Sequence, residues 1–338
     1  MKRVLAALIA LIMLCLTSCQ FINGQQPPKE EDDNTVIDNT AASQVHDKIY
    51  LYDEGNVPYD EDGDCREFCF ITPYLAPYPT GGAVVVFPGG GYSHLSNSSS
   101  GEDGYGKGVN NDGDQKEASS IVKWFNDAGI SVFVVNYRTT AVDIKVDYRH
   151  ILSDASRAVR LIRANADKYY LDTDKIAVQG YSAGGHLASM LLTLPAWTVE
   201  DENYIPDAYD AIDPTPNAAV LCYSVISMDD DLTHKNTKKN FTGGDESLFD
   251  RFSAEKNVTA STAPCFLWCH EKDATVKSGN TYAMASALDT AGVYNECYVY
   301  DDNGAYAHGI GVAQDYEEAK TWPELATQFL KNLDSKQK

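Results

Sequence analysis

The residues best placed to do chemistry lie in Gly180-x-Ser182-x-Gly184. An apolar stretch, Lys175–Gln179, runs straight into this motif, and a helical apolar pattern (Leu187, Met190, Leu191, Leu194) runs out of it. Strand, tight turn and helix in that order make a nucleophile elbow. The turn is so sharp that a Cβ two positions either side of the serine would collide, so glycine stands at 180 and 184. The helix N-terminus is then aimed at the reacting atom, and Ser182 Oγ is expected to attack a carbonyl carbon.

An elbow serine takes its partners in chain order, acid and then histidine. The histidines after Ser182 are His186, His234, His270 and His308. His186 falls one turn into the helix and reads as packed. His270 ends the apolar strand Ala263–Cys269, just before Glu271, Lys272 and Asp273. The next strand, Glu296–Tyr300, opens into the loop that carries His308. We therefore read Ser182 as nucleophile, His308 as general base and then acid, and Asp273 as its orienter. Rival acids are Glu271, Asp301 and Asp302. Asp273 is preferred because Val276 returns the chain to the core and leaves Asp273 at the loop tip.

An acyl transfer also needs an oxyanion site. The continuous apolar run Gly82–Phe87 reads as a buried parallel strand, and Gly89-Gly90-Gly91 follows it. The N–H groups of Gly90, Gly91 and Ala183 are the expected donors. Tyr92, His94 and Tyr181 flank these atoms, either as sugar-stacking platforms or as packing. Trp268 reads as core. Asp143, Asp147 and Arg149 precede a helix they could cap.

Pro88-Gly-Gly-Gly-Tyr-Ser-His-Leu95, Asn136-Tyr-Arg138 and Gly180–Ala188 together resemble the α/β-hydrolase carbohydrate acetylesterases, which are similar to acetyl xylan esterases and the hormone-sensitive-lipase-like group. The resemblance covers roughly residues 80 to 330. It implies that Ser182, Asp273 and His308 form the triad and that the glycine triplet forms the oxyanion hole. Two departures stand out. Proline opens the glycine motif where the lipase-like group has histidine, and the loop Ser96–Lys116 is longer than such enzymes usually carry.

The fold expected is α/β, an α/β-hydrolase with a mainly parallel eight-stranded sheet and helices on both faces. Strands are expected at Lys48–Tyr52, Glu67–Thr72, Ala83–Phe87, Ser131–Tyr137, Lys175–Gln179, Ala218–Tyr223, Cys265–Cys269 and Cys297–Tyr300. The first two lack a helix between them and read as an antiparallel edge. Helices are expected near Gln115–Ala128, Tyr148–Tyr169, Gly184–Leu192, Gly279–Ala291 and Asp315–Asn332. An apolar content of 43% suits such a core.

The N-terminus reads differently. Met1-Lys-Arg precedes an apolar run, Val4–Leu14, too short to span a bilayer comfortably. It closes at Leu16-Thr-Ser-Cys19, which resembles a bacterial lipobox. That resemblance implies a signal peptide at 1–18 and lipid attachment at Cys19. Residues 19–45 read as a flexible tether, and 46–338 as the catalytic domain. The expected location is the bacterial cell envelope, lipid-anchored, with the acidic run Lys29–Asp33 resembling surface-export signals.

The formal net charge of −22 argues against nucleic acid or anionic lipid as partners and suits a neutral polymer. No cofactor or metal is expected, since neither C-x-x-C nor H-E-x-x-H occurs. The asparagines and aspartates of the Ser96–Lys116 loop leave a calcium site or a solvated loop open. Of the eight cysteines, Cys222, Cys265, Cys269 and Cys297 read as buried free thiols on strands. Cys65 and Cys69 could pair only if the chain bends between them. Four functions compete: a deacetylase of carbohydrate esters, a generalist short-chain esterase or feruloyl esterase, a serine peptidase, and a dead binding protein. The polar Ser96–Lys116 loop is a poor lipase lid, and no triad member is missing. The deacetylase is therefore favoured.

Overall fold

The computed structural model describes residues 44–45, 47–61, 65–96, 120–142, 145–304 and 307–336. The expected signal peptide, Cys19, nearly all of the tether, most of the Ser96–Lys116 loop and Asp143 lie outside the described residues.

Among the described residues nine strands make one sheet: β1 (Gln44–Val45), β2 (Ile49–Tyr50), β3 (Phe70–Leu75), β4 (Ala83–Phe87), β5 (Ser131–Asn136), β6 (Ile176–Tyr181), β7 (Ala218–Cys222), β8 (Cys265–His270) and β9 (Asn295–Tyr300). Their order is β1-β3-β5-β4-β6-β7-β8-β9, with β2 also on β3. β3 runs antiparallel to β1, β2 and β5, and every pairing from β4 through β9 is parallel. The antiparallel edge is thus as expected. β1 is an addition, because Gln44 and Val45 pair with β3 from inside the stretch read as tether.

The described helices are α1 (Val122–Asp127), α2 (Tyr148–Ala164), α3 (Ala183–Thr193), α4 (Lys235–Thr242), α5 (Gly279–Ala291) and α6 (Trp322–Lys336). Alternation along β4 sorts them by face. Val84 and Val86 join Phe125, Ala326 and Phe329, from α1 and α6, in one core. Val85 and Phe87 join Ile151, Leu187 and Leu288, from α2, α3 and α5, in the other. A strand covered on both sides has no polar face, which is why β4 reads as an unbroken apolar run.

Local chemistry explains the boundaries. β3 starts later than expected because Cys65–Phe68 winds into a 3-10 turn. Pro73 interrupts no ladder on the outer side of β3: β2 pairs with Phe70 and Ile71, β1 with Tyr74 and Leu75, and Pro73 lies between them. α2 begins at a capping box. Asp147 accepts from Arg149 N at 2.9 Å, and the Asp147 N–H donates to His150 Nδ1 at 3.2 Å. Burial raises the Asp147 carboxyl, but its contact with the His150 ring and the hydrogen bonds from Arg149 outweigh this and bring it to about 2. The loop after β5 is held by Arg138, whose Nε and Nη2 donate to the two Asp154 oxygens on α2 at 2.9 and 2.7 Å. Both side chains are fully buried, so each charge depends on the other.

Cys222, Cys265 and Cys269 are buried and form no disulfide, and Trp268 is core. Cys297 is exposed on the edge strand β9, a correction: one side of that strand has no neighbour to cover it. No disulfide joins Cys65 and Cys69. The Cys69 thiol instead donates to the Cys65 carbonyl at 3.3 Å.

Candidate active site

The elbow is built as its glycines demand. Ser182 follows β6 with φ 53° and ψ −117°, a region costly for any residue with a side chain. The strain is held in place from three sides. Ser182 N–H donates to Cys222 O at 3.0 Å, and the Ser182 carbonyl accepts from Gly185, His186 and Val225 N–H. A Cβ at Gly180 would lie 2.1 Å from Gly184 O, and one at Gly184 2.1 Å from Phe87 O. At Gly185 it would meet Ser224 Oγ at 1.9 Å. Gly180 and Gly184 therefore mark backbone contacts that a side chain would block, and Gly185 a close contact with the Ser224 side chain.

Three loops from three strand ends meet here. Ser182 Oγ stands 2.9 Å from His308 Nε2, and His308 Nδ1 stands 2.6 Å from Asp273 Oδ2. Asp273 sits at the tip of a turn, where its Oδ1 accepts from Thr275 N (2.8 Å) and Val276 N (2.9 Å). Its side chain is completely buried. A carboxylate so placed accepts a hydrogen bond from Nδ1–H, which leaves the Nε2 lone pair for the serine hydroxyl. The Tyr223 ring packs against the imidazole edge-on, at 4.8 Å. The order serine, acid, histidine and the three residues expected are those the fold brings together.

The rival acids are engaged elsewhere. Glu271 accepts from Tyr282 OH on the surface at 2.6 Å. Asp301 is exposed and lies 3.8 Å from Lys272 Nζ. Asp302 turns inward, 3.1 Å from His270 Nε2.

The glycine loop presents its N–H groups because its carbonyls are taken. Gly89 O accepts from Ser96 N at 3.0 Å, and Gly90 O from Ser93 N at 3.1 Å and Ser93 Oγ at 3.0 Å. In a trans peptide the following N–H points the opposite way, so those of Gly90 and Gly91 face away from these bonds. The same holds for Ala183, first residue of α3, whose preceding carbonyl has three donors. Gly90 has a φ of 121°, which side-chain-bearing residues avoid, and Gly91 one of 64°, in the left-handed region that favours glycine. Further bonds pin the loop: Tyr137 OH to Pro88 O (2.6 Å), Asn240 Nδ2 to Gly91 O (2.9 Å) and Thr140 N to Tyr92 O (2.9 Å).

Two of the three expected sugar contacts are corrected. Tyr92 is fully buried, stacked on Phe241 at 4.9 Å, and its hydroxyl pairs with His186 Nδ1 at 2.8 Å. Tyr181 is fully buried between Tyr223 and Trp322. A ring with no exposed face stacks on nothing from solution. The reason is alternation: side chains beside an elbow point into the sheet flanks, not the cleft. His94 is exposed, with Nδ1 3.0 Å from Ser93 Oγ.

α4 carries two residues the sequence did not single out. Asn240 holds Gly91, as above. His234, immediately before α4, lies 3.6 Å from the position a Gly91 Cβ would occupy. The stretch Lys235-Asn-Thr-Lys-Lys-Asn shows no apolar stripe, so nothing local announced a helix. Phe241 is its buried apolar anchor, beside the buried Thr237 and Thr242. Among the described residues, no group of three His, Cys, Asp or Glu side chains could hold a metal ion.

An elbow serine, an imidazole and a buried carboxylate at the carboxyl ends of a mainly parallel sheet define an α/β hydrolase. The chain belongs to the BD-FAE family, which matches residues 103–288, more than half of its length. It is similar to an acetylxylan esterase of Xylanibacter ruminicola, 30% identical over 281 residues that cover 81% of this chain and 48% of the relative. It is also similar to endo-1,4-beta-xylanase B of Butyrivibrio fibrisolvens, 34% identical over 69% of this chain and 33% of that protein. The chain thus spans about half the length of the first and a third of the second. Among solved structures it superimposes on an acetyl ester-xyloside bifunctional hydrolase from Caldicellulosiruptor lactoaceticus. There the TM-score is 0.71, with 28% identity over 87% of this chain and 99% of that one.

Proposed function

We propose that this chain is a serine esterase that removes acetyl groups from carbohydrate, such as acetylated xylan or its oligosaccharides. The observation that carries the reading is the continuous Ser182–His308–Asp273 hydrogen-bond chain. His308 takes the Ser182 proton as Oγ attacks the ester carbonyl. The Gly90, Gly91 and Ala183 N–H groups hold the oxyanion. His308 then protonates the departing sugar oxygen. Water, activated by the same imidazole, releases acetate from the acyl-serine. The acetyl-carbohydrate substrate is drawn from what the relatives are named for.

The test is a substrate panel of acetylated xylooligosaccharides, feruloylated oligosaccharides and p-nitrophenyl esters. Acetate release from the sugar esters with the higher kcat/KM supports the reading. Release no faster than from simple aryl esters replaces it with a generalist short-chain esterase.

We further propose that residues 1–18 are a signal peptide and that Cys19 carries the lipid that holds the enzyme in the cell envelope. Detergent-phase partitioning that Cys19→Ala abolishes would support this. Unchanged partitioning would refute it.

A further inference from the structure

His234 is poised at the cleft without a part in the proton relay. Its Nδ1 is 2.8 Å from Thr237 Oγ1, one turn on along α4, and this bond fixes the ring plane. Its Cε1 edge packs over Gly91, whose positive φ and missing side chain leave room for it. Among the described residues Nε2 has no hydrogen-bond partner. The ring is only partly buried. Burial lowers its pKa from the ordinary imidazole value, His308 pushes the same way, and Asp273 opposes. The two imidazoles are therefore in electrostatic reach of each other.

These facts place His234 beside the glycine loop and within electrostatic reach of the imidazole that protonates the departing oxygen. The departing oxygen must come within hydrogen-bond reach of His308 Nε2, which protonates it. Resting on the esterase reading above, we propose that His234 is a leaving-group contact, its Nε2 hydrogen-bonding a hydroxyl of the departing sugar and so selecting carbohydrate esters over aryl and alkyl esters. A sugar hydroxyl both donates and accepts, so it meets Nε2 in either tautomer. An aryl leaving group lacks that hydroxyl and leaves the nitrogen unpaired. Sites built to bond a hydroxyl discriminate against analogues without one for this reason. His234 moves no proton in the reaction. Its contribution is to kcat/KM on one class of leaving group.

The experiment compares monoacetylated xylobiose with p-nitrophenyl acetate in the full chain, for His234→Ala, His234→Gln and Asn240→Ala. His234→Ala should lower kcat/KM on the sugar ester roughly tenfold more than on the aryl ester. His234→Gln, whose amide can still bond a hydroxyl, should recover part of that difference. Asn240→Ala loosens Gly91 and should depress both esters alike. Melting temperatures of the variants report folding separately. Equal proportional losses in His234→Ala overturn the proposal, as does no loss. A changed preference between p-nitrophenyl acetate and butyrate would put His234 on the acyl side and overturn it too. A wild type that cleaves the aryl ester but not the sugar ester refutes both this proposal and the substrate reading. With both esters cleaved by the wild type, failure in the variants refutes this proposal alone.

Discussion

His270 Nε2 lies 3.1 Å from Asp302 Oδ2, with the His270 side chain fully buried and that of Asp302 4% exposed. His270 ends β8, two residues before the turn that carries Asp273, and its carbonyl accepts the Asp273 N–H at 3.2 Å. Asp302 opens the loop that carries His308, and it also accepts from Glu318 N (2.6 Å) and Ala319 N (3.1 Å). This close approach, with the two N–H bonds to Asp302, sets the histidine loop against the acid loop. Asp302→Ala leaves a buried imidazole and two N–H groups without this carboxylate, so it should cost on the order of 1–3 kcal/mol. Turnover should fall as the His308 loop loosens. Urea unfolding and kcat, measured together, check this.

Ser182→Ala should cut kcat by several orders of magnitude while the fold survives, since the hydroxyl is the attacking atom. Asp273→Asn should be similarly severe, because the amide no longer fixes the His308 tautomer. Glu271→Gln should be mild, as its carboxylate bonds Tyr282 at the surface. Steady-state kinetics on any ester turned over by the wild type would decide. A severe Glu271→Gln with a mild Asp273→Asn would move the acid.

Gly184→Ala and Gly292→Ala should part sharply. At 184 the new Cβ would sit 2.1 Å from Phe87 O and 2.4 Å from Pro88 O, both backbone atoms that cannot step aside. The elbow should not form, giving poor soluble yield or no activity. At 292 nothing lies within 4 Å, and only the φ of 72° is strained. That variant should stay active and lose about 1 kcal/mol. Yield, thermal melts and activity of the two variants give the comparison.

His186 should impose an acid limit on stability. Burial lowers its imidazole to about 4, and the hydrogen bond to Phe252 O only partly offsets this. The bond to that carbonyl makes Nε2 the donor, so Nδ1 accepts from Tyr92 OH. The folded state thus holds a neutral ring while the unfolded chain protonates near 6.5. Stability should therefore fall as pH drops from about 6.5 to 4, by roughly 3 kcal/mol in total. His186→Gln should be less stable at neutral pH but flatter across that window. Urea midpoints at half-unit pH steps test it, and an unchanged slope in the variant would count against the linkage.

The elbow, the glycine loop and the order of the three catalytic candidates were legible in the residues because each rests on short-range rules. Gly180 and Gly184 flank Ser182 for a steric reason that acts over four residues. β4 and the Phe266–Trp268 core strand read as apolar because both faces are covered. What tertiary structure alone decided was which side chains meet. Asp273, Glu271, Asp301 and Asp302 are four carboxylates on two loops, indistinguishable by type. Asp273 is set apart by its approach to His308 Nδ1 at 2.6 Å, while Glu271, Asp301 and Asp302 lie against Tyr282, Lys272 and His270. Tyr92 and Tyr181 sit beside the reacting atoms in sequence and inside the core in space, since neighbouring side chains leave the backbone in opposite directions. α4 has the polar composition of a loop and folds because Phe241 and Asn240 find partners far along the chain. His234 reaches the site only through that packing, so no local pattern could have placed it there.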